Sequence, residues 1–149
     1  MTTLLPHTYS VALHWKDGPT GTLFASPRPP IPVGKPPQFD GSDAWWSPEH
    51  LLLASAASCF MTTYLAMAER RKLTISCYRS QVSGRVEQSA DGLRFVSVLL
   101  TAWVEAADKD QESAERLLES AKQQCLVSNS LKVPVTLIVR RAQIEEKIS

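Results

Sequence analysis

The sequence predicts a single α+β domain built around a buried helix. Segments that alternate polar and apolar residues, or that are rich in β-branched residues, lie near both ends of the chain and in its middle. A long apolar helical stretch separates the first of these segments from the others, and a polar amphipathic helix precedes the last one. The chain has 149 residues, which is the size of one domain, so we expect one domain over residues 1–149.

The chain begins with a predicted hairpin. Residues 9–15 alternate as a half-buried strand does, Lys16-Asp17-Gly18-Pro19 has the composition of a turn, and residues 20–25 form the return strand. The proline-rich run at residues 26–37 then excludes regular structure and predicts a stiff, extended surface loop. This loop is either a spacer or the cover of a pocket.

The central helix has a clear start. Ser47 is a good N-cap, Pro48 suits the first helical position, and Glu49 places a carboxylate in the first turn. The helix should continue to about Lys72. Because residues 51–60 are apolar or small on almost every face, we expect the helix to be buried all round. A domain of this size rarely encloses a helix completely, so the pattern indicates dimerisation through it.

The second half of the chain reads as two strands, a helix and a final strand. Strands are predicted at residues 75–86 and 94–104, with a turn at Ala90-Asp91-Gly92. The amphipathic helix covers residues 111–125. The last strand covers residues 133–140, and Pro134 near its start indicates an edge strand or the entry to a strand.

Composition excludes several classes of partner. Sixteen basic and fifteen acidic residues give a net charge of +1, so we expect neither nucleic-acid nor membrane binding. The start of the sequence lacks a secretory pattern, and three cysteines do not make a disulfide framework, so a cytoplasmic protein is expected. His7, His14 and His50 show no ligand spacing with a cysteine, and we expect no metal site and no cofactor.

Two cysteines stand in settings that favour redox chemistry. Cys59 lies in the small-residue part of the central helix, and Cys125 lies where the amphipathic helix ends. Either could be an ordinary packed thiol, since free cysteine is often buried. Cys77, within a predicted strand, is expected to be structural.

Two motifs and the order of elements carry a resemblance over nearly the whole chain. Pro48-Glu49-x-Leu51 comes ten residues before Ser58-Cys59-Phe60, and Cys125-x-Val127-Ser128 is followed by x-x-Leu131. With a hairpin, a central helix, further strands, a second helix and a last strand, the chain resembles the OsmC/Ohr superfamily. These are osmotically inducible protein C-like and organic hydroperoxide resistance proteins.

The resemblance implies a fold, an activity and a set of roles. The fold would be an intertwined α+β homodimer whose antiparallel sheets pack around the central helix. The protein would be a thiol-dependent peroxidase that reduces organic hydroperoxides. Cys59 would attack the peroxide and Cys125 would resolve the sulfenic acid as a Cys59–Cys125 disulfide, while Glu49 and an arginine would orient and activate Cys59. The usual reductant is a dithiol, a dihydrolipoyl group.

The residues themselves limit how Cys59 can be activated. A reactive thiol must ionise, but Cys59 lies well beyond the first turn of its helix, where the helix dipole acts, and burial raises a thiol pKa. A cation or a set of donors must therefore come from elsewhere in the fold. Glu49 is ten residues from Cys59, about 15 Å along one helix, so it would have to contact the thiol from a second subunit. Otherwise it supports the helix start.

The chain departs from the family pattern at the arginine. Lys16 stands before Asp17-Gly18 where one branch has arginine, and Gln38 stands before Phe39 where the other branch has it. Lys16 or Arg28 could supply the charge, although lysine does not reproduce a bidentate guanidinium. Leu126 occupies a position where the family often has proline. These departures leave open a non-peroxidatic binding or redox-sensing protein.

Substrate contacts are assigned to side chains flanking the two motifs. Trp45 and Trp46 precede the central helix and either wall an apolar pocket or belong to the core. Phe60, next to Cys59, and Gln38 complete the set of expected substrate-binding residues.

Overall fold

The computed structural model describes residues 6–141, and its chain forms two compact units, residues 1–51 and 52–149. The predicted α+β class is confirmed. Within the described residues each unit contains a three-stranded sheet, and the helices of eight or more residues belong wholly or mainly to the second unit.

The first unit contains the predicted hairpin and one strand that the sequence did not predict. Strands β1 (Ala12–Asp17) and β2 (Thr20–Phe24) pair antiparallel across a turn in which Gly18 has a φ of 45°. Strand β3 (Ile31–Gly34) pairs with β2, so the exclusion of regular structure from residues 26–37 was wrong. Pro32 is tolerated because β3 is an edge strand, where alternate N–H groups need no partner in the sheet.

A 3₁₀ turn, Pro37–Phe39, leads from β3 toward the central helix. Helix α1 (Pro48–Arg70) begins where the sequence predicted. The Ser47 hydroxyl accepts a hydrogen bond from the His50 N–H at 3.2 Å and thereby caps the first turn. The helix ends two residues before Lys72, which has a left-handed φ of 55°.

Burial of α1 differs from the prediction. One face of the helix is buried and the rest is exposed or half-buried; the buried residues are Ala56, Phe60, Tyr64, Met67 and Ala68. The prediction that α1 is buried on all sides was wrong for a single chain. One sheet and the face of one other helix cover only one side of α1. By length and composition α1 could also cross a membrane, a criterion that core helices of soluble proteins meet as well.

The second unit is a mixed sheet covered by helices. Strands β4 (Ile75–Ser89) and β5 (Gly92–Ala106) form a long antiparallel hairpin, and β6 (Val135–Arg141) pairs with β5 in parallel. The expectation of purely antiparallel sheets therefore fails at β6, because the helical segment before it crosses over the sheet. Helix α2 (Gln111–Gln124) ends one residue earlier than predicted, and a short helix, α3 (Leu126–Ser130), follows Cys125.

The core of this unit lies between the sheet, α1 and α2. Its fully buried large side chains come from all three: Phe60, Tyr64, Val98, Leu100, Val104, Leu117, Leu118 and Cys125. The Tyr64 hydroxyl donates to the Ala114 carbonyl at 3.1 Å and joins α1 to α2. Gln111 fixes the start of α2, since its side chain accepts from the Ala106 N–H at 2.8 Å and donates to the Val104 carbonyl.

Candidate functional site

The fold of the second unit brings Cys59 and Cys125 together. Cys59 is half-buried on α1, and Cys125 is fully buried at the junction of α2 and α3. The two thiols are close enough for each to shift the pKa of the other. Both are free, as is Cys77, which lies on β4 opposite Glu105 of β5.

The break between α2 and α3 supplies donors to Cys59. Cys125 is extended, with φ −69° and ψ 111°, so the chain leaves α2 and begins α3 at the next residue. The first N–H groups of a helix have no partner within that helix. Burial raises the pKa of Cys59, and interactions with the backbone of Leu126 and Val127 and with the side chain of Thr63, one turn further along α1, lower it.

These contacts decide the ionisation of Cys59. Burial is the largest single influence and raises the pKa of Cys59. Hydrogen bonds to the sulfur act in the opposite direction and together hold that pKa below its usual value. Their donors, in decreasing order of effect, are the Val127 N–H, the Cys125 thiol, the Thr63 hydroxyl and the Leu126 N–H.

Cys125 has the opposite tendency. Burial raises the pKa of Cys125, the hydroxyl and N–H of Ser128 lower it in part, and the hydrogen bond and charge of Cys59 raise it again. The net shift is upward. Cys59 is therefore the more readily ionised thiol of the pair and Cys125 the less readily ionised one, which is the order that the sequence reasoning favoured.

Glu49 belongs to the first unit. It lines an apolar pocket of about 400 Å³ together with Leu13 and Trp15 of β1 and Phe39 of the 3₁₀ turn. Lys35 is the other charged residue in the lining. The Oε2 atom of Glu49 is buried and has no hydrogen-bond partner within residues 6–141. Buried carboxylate oxygens normally accept a hydrogen bond, so we expect a hydrogen-bond donor for Glu49 in this pocket.

The two tryptophans line a second pocket of the first unit, of about 320 Å³. Trp45 and Trp46 are 40% and 52% exposed, so they do not belong to the core. His50 also lines this pocket, and its Nδ1 is 2.7 Å from the Ser47 hydroxyl.

The other expected site residues belong to the first unit, except for Phe60, which belongs to the second. Lys16 is exposed on β1, and Gln38 is exposed in the 3₁₀ turn. Arg28 donates through Nη1 to the Ala25 carbonyl at 3.4 Å. Phe60 is 1% exposed and packs in the core, so a substrate does not reach its side chain in this chain, contrary to the expectation from its position beside Cys59.

Sequence reasoning missed three of the donors around the sulfur. Thr63 stands four residues after Cys59, a spacing that places both on one helix face, so this signal was present in the sequence. The amides of Leu126 and Val127 carry no signal in residue type, because every residue except proline has an N–H group.

No group of three or more His, Cys, Asp or Glu side chains in the described part of the chain is placed to hold a metal ion.

Comparisons with known proteins agree on one family. A sequence model of the OsmC-like proteins matches residues 41–140. An uncharacterised protein of Bacillus subtilis, YmaD, is 26% identical over 109 residues, which cover 70% of this chain and 73% of that protein.

Among solved structures, an OsmC-like protein of unknown function from Vibrio cholerae has a TM-score of 0.82 at 18% identity, covering 91% of this chain and 100% of its own. An organic hydroperoxide resistance protein from Elizabethkingia anophelis has a TM-score of 0.77 at 23% identity, covering 95% and 100%. At these identities the likeness establishes the fold.

Proposed function

Since the chain belongs to the OsmC-like protein family, we propose that it is a thiol-dependent peroxidase that reduces organic hydroperoxides. The pairing of Cys59 with Cys125 in one unit is the observation that carries this proposal. Donors lower the pKa of the first thiol against the effect of its burial, while burial raises the pKa of the second. A nucleophilic thiolate beside a protonated thiol is the arrangement that two-cysteine peroxide chemistry requires.

The proposed reaction has two thiol steps. The Cys59 thiolate attacks the terminal oxygen of the hydroperoxide, the O–O bond breaks, and the alkoxide leaves and takes up a proton as the alcohol. Cys59 is thereby oxidised to a sulfenic acid. The Cys125 thiol then attacks the sulfenic sulfur, the two sulfurs form a disulfide, and the hydroxyl leaves as water with the proton of Cys125.

A dithiol closes the cycle. Its two thiols reduce the disulfide and become a disulfide themselves, and we propose a dihydrolipoyl group in this role. No cofactor or metal takes part in the scheme. Three free cysteines suit a reducing compartment, so we propose the cytoplasm as the location.

Glu49 and Lys16 are proposed to act from the first unit. Along one helix Glu49 is about 15 Å from Cys59, so it would approach the thiol of the partner subunit. The unpartnered Oε2 atom supports this proposal, because a donor from a substrate or a second chain would satisfy it. Lys16 would contribute positive charge. Trp45, Trp46 and Gln38 are proposed to guide an apolar substrate.

A homodimer is part of the same proposal. Helix α1 leaves Met61 and Leu65 38% and 39% exposed, and β1 leaves Leu13 and Trp15 58% and 76% exposed. Apolar faces of this kind are normally covered by another protein surface. A second copy of the chain, packed through α1, would cover them.

The direct test is rapid-mixing kinetics with cumene hydroperoxide. Wild type should be oxidised in a fast second-order reaction and Cys59→Ser should not react. Cys77→Ser is the matched control, because it also removes one thiol, and it should behave as wild type. Equal reactivity of wild type and Cys59→Ser would refute the peroxidase.

The alternative is an OsmC-like binding or redox-sensing protein without peroxidase turnover. Two observations favour it: lysine and glutamine stand at positions 16 and 38 in place of arginine, and Glu49 Oε2 has no hydrogen-bond partner among residues 6–141. In that case Cys59 would titrate as an ordinary thiol and react with peroxide no faster than Cys77.

A further inference from the structure

We propose that the pocket lined by Trp45 and Trp46, here called the tryptophan pocket, binds a small organic ammonium ion. The pocket has a volume of about 320 Å³, which is within the usual range for small-molecule sites. All its lining residues belong to the first unit. The proposal therefore goes beyond the thiol chemistry proposed above and does not rest on it.

The lining combines aromatic surface with a negative charge. Part of each indole ring of Trp45 and Trp46 is accessible. Asp43 is exposed beside them, and it makes no ion pair and no side-chain hydrogen bond within residues 6–141. Among the described residues, no lysine or arginine lines the pocket. Indole faces attract organic cations and a carboxylate attracts the same charge, so this lining favours an ammonium ion over a neutral apolar molecule.

Backbone hydrogen bonds form the wall of the pocket without a ligand. The Gly34 N–H donates to the Trp46 carbonyl at 3.0 Å, and the Ser42 N–H donates to the Lys35 carbonyl at 3.0 Å. A Cβ atom at Gly34 would lie 3.0 Å from Cδ1 of Trp45, so this indole packs directly against the backbone of β3. A site that is already formed loses less conformational entropy when a ligand binds.

His50 contributes a hydrogen-bonding group with a defined orientation. Its Nδ1 is 2.7 Å from the hydroxyl oxygen of Ser47, which is fully buried. That oxygen already accepts the His50 N–H, so the hydroxyl donates to Nδ1 and the neutral imidazole carries its hydrogen on Nε2. A ligand with a hydroxyl or carbonyl oxygen beside its ammonium group would therefore find an acceptor's partner in the same lining.

The experiment is a titration of the full chain with choline, which carries an ammonium group and a hydroxyl. Binding is measured by isothermal titration calorimetry and by the indole N–H signals of the tryptophans in nuclear magnetic resonance. Choline should bind saturably with a Kd of about 1 mM or lower and shift the signals of Trp45 and Trp46. The alcohol 3,3-dimethylbutan-1-ol has the same shape without the charge, and it should bind about tenfold more weakly or less.

Three variants separate the charge from the aromatic surface. Asp43→Asn keeps the shape and should weaken choline binding about twofold to fivefold. Trp46→Leu keeps apolar bulk without a π face and should weaken it about threefold to thirtyfold, whereas Trp46→Phe should lose less. Asp108→Asn is the matched control, because it removes the charge of an exposed aspartate in the second unit, and it should bind choline as wild type does.

Three results would overturn the proposal: no saturable binding of choline, equal affinity for choline and the neutral alcohol, or unchanged choline affinity in Asp43→Asn. Equal affinity for the alcohol would leave Trp45 and Trp46 in the role of guiding an apolar substrate. Circular dichroism checks the folding of each variant. If Trp46→Leu does not fold, Asp43→Asn still decides, because an exposed aspartate without a side-chain partner among residues 6–141 does not hold the fold together.

Discussion

At the scale of single residues, the chemistry depends on two thiols whose environments differ although they are adjacent. Burial raises the pKa of Cys59 but hydrogen bonding lowers it overall, whereas burial dominates at Cys125 and raises its pKa. The charge of Cys59 also raises the pKa of Cys125. The proposed division of roles between attacking and resolving cysteine rests on this difference.

The disulfide can be mapped directly. Treatment with cumene hydroperoxide should consume two thiols, link Cys59 to Cys125 and leave Cys77 free, because Cys77 lies on β4 and its pairing partner there is Glu105. In Cys125→Ser the reaction should stop at a sulfenic acid that dimedone traps. Peptide mapping that joins Cys77 to either cysteine would contradict the assignment.

A guanidinium added to the Glu49 pocket should strengthen the site. Gln38 adjoins Phe39, which lines that pocket, and Glu49 Oε2 has no partner among the described residues. Gln38→Arg should satisfy this oxygen and raise the rate of peroxide reduction severalfold. Gln38→Lys is the control: a lysine brings the charge without the planar fork and should give a smaller gain. A rate unchanged in both variants would remove Gln38 from the site.

The residue scale also separates what the sequence could predict from what it could not. Cys59, Cys125 and Glu49 could be chosen because their types and spacing are specific. The contributions of Leu126 and Val127 could not, since they come from backbone atoms whose placement depends on the one-residue break between α2 and α3. The burial of Phe60 could not be predicted from its position beside Cys59, because it depends on how α1 packs in the core of the second unit.

At the scale of elements, α1 is tied to the rest of the second unit by a pair of tyrosines. Tyr64 of α1 stacks on Tyr78 of β4 with ring centroids 5.4 Å apart. The Tyr64 hydroxyl bonds to the Ala114 carbonyl of α2, whereas the Tyr78 hydroxyl is buried without a hydrogen-bond partner of normal geometry in residues 6–141. The two phenols therefore differ in what their hydroxyls contribute.

Substitution of each tyrosine by phenylalanine should separate these contributions. Tyr64→Phe should lower the free energy of unfolding by about 0.5–1.5 kcal/mol, the usual net value of a hydrogen bond. Tyr78→Phe should leave it unchanged or raise it slightly, because it deletes an unsatisfied buried hydroxyl. Urea denaturation measures both, and equal losses in the two variants would contradict this account.

The same tyrosine predicts an alkaline limit of stability. Burial, followed by the charges of Tyr78 and Glu115, raises the pKa of Tyr64 to about 12. An unfolded tyrosine ionises near pH 10, so the folded state favours the neutral phenol. Its contribution is complete below about pH 10 and is lost as the pH rises to about 12. Thermal melts over this range should show a steeper loss in wild type than in Tyr64→Phe.

At the scale of the whole molecule, exposed apolar surface indicates assembly. Met61 and Leu65 are one turn apart on α1 and form a continuous apolar strip on the side that the core leaves open. The sequence predicted apolar surface on α1 beyond what one chain covers, because it showed a helix apolar on every face. The same pattern could not show which face of α1 is buried within one chain, since that depends on where the sheet packs against the helix.

Assembly can be tested with two aspartate variants. Wild type should sediment as a dimer at micromolar concentration. Leu65→Asp should weaken the dimer about 100-fold or more, because it buries an unpaired charge in the proposed interface. Leu93→Asp, at the turn between β4 and β5 and 58% exposed, should have no effect. A folded wild-type monomer, or dissociation in both variants, would refute an interface through α1.

The break at Cys125 also has a consequence for the oxidised protein. The backbone of Leu126 and Val127 lowers the pKa of Cys59, whose burial raises it, and this interaction with an ionisable sulfur is lost when Cys59 becomes part of a disulfide. Helix α3 has only five residues and has little stability of its own. Oxidation should therefore speed hydrogen–deuterium exchange at Leu126 and Val127. The disulfide would then destabilise the short helix next to it. Local opening of that helix would expose the disulfide to a reductant.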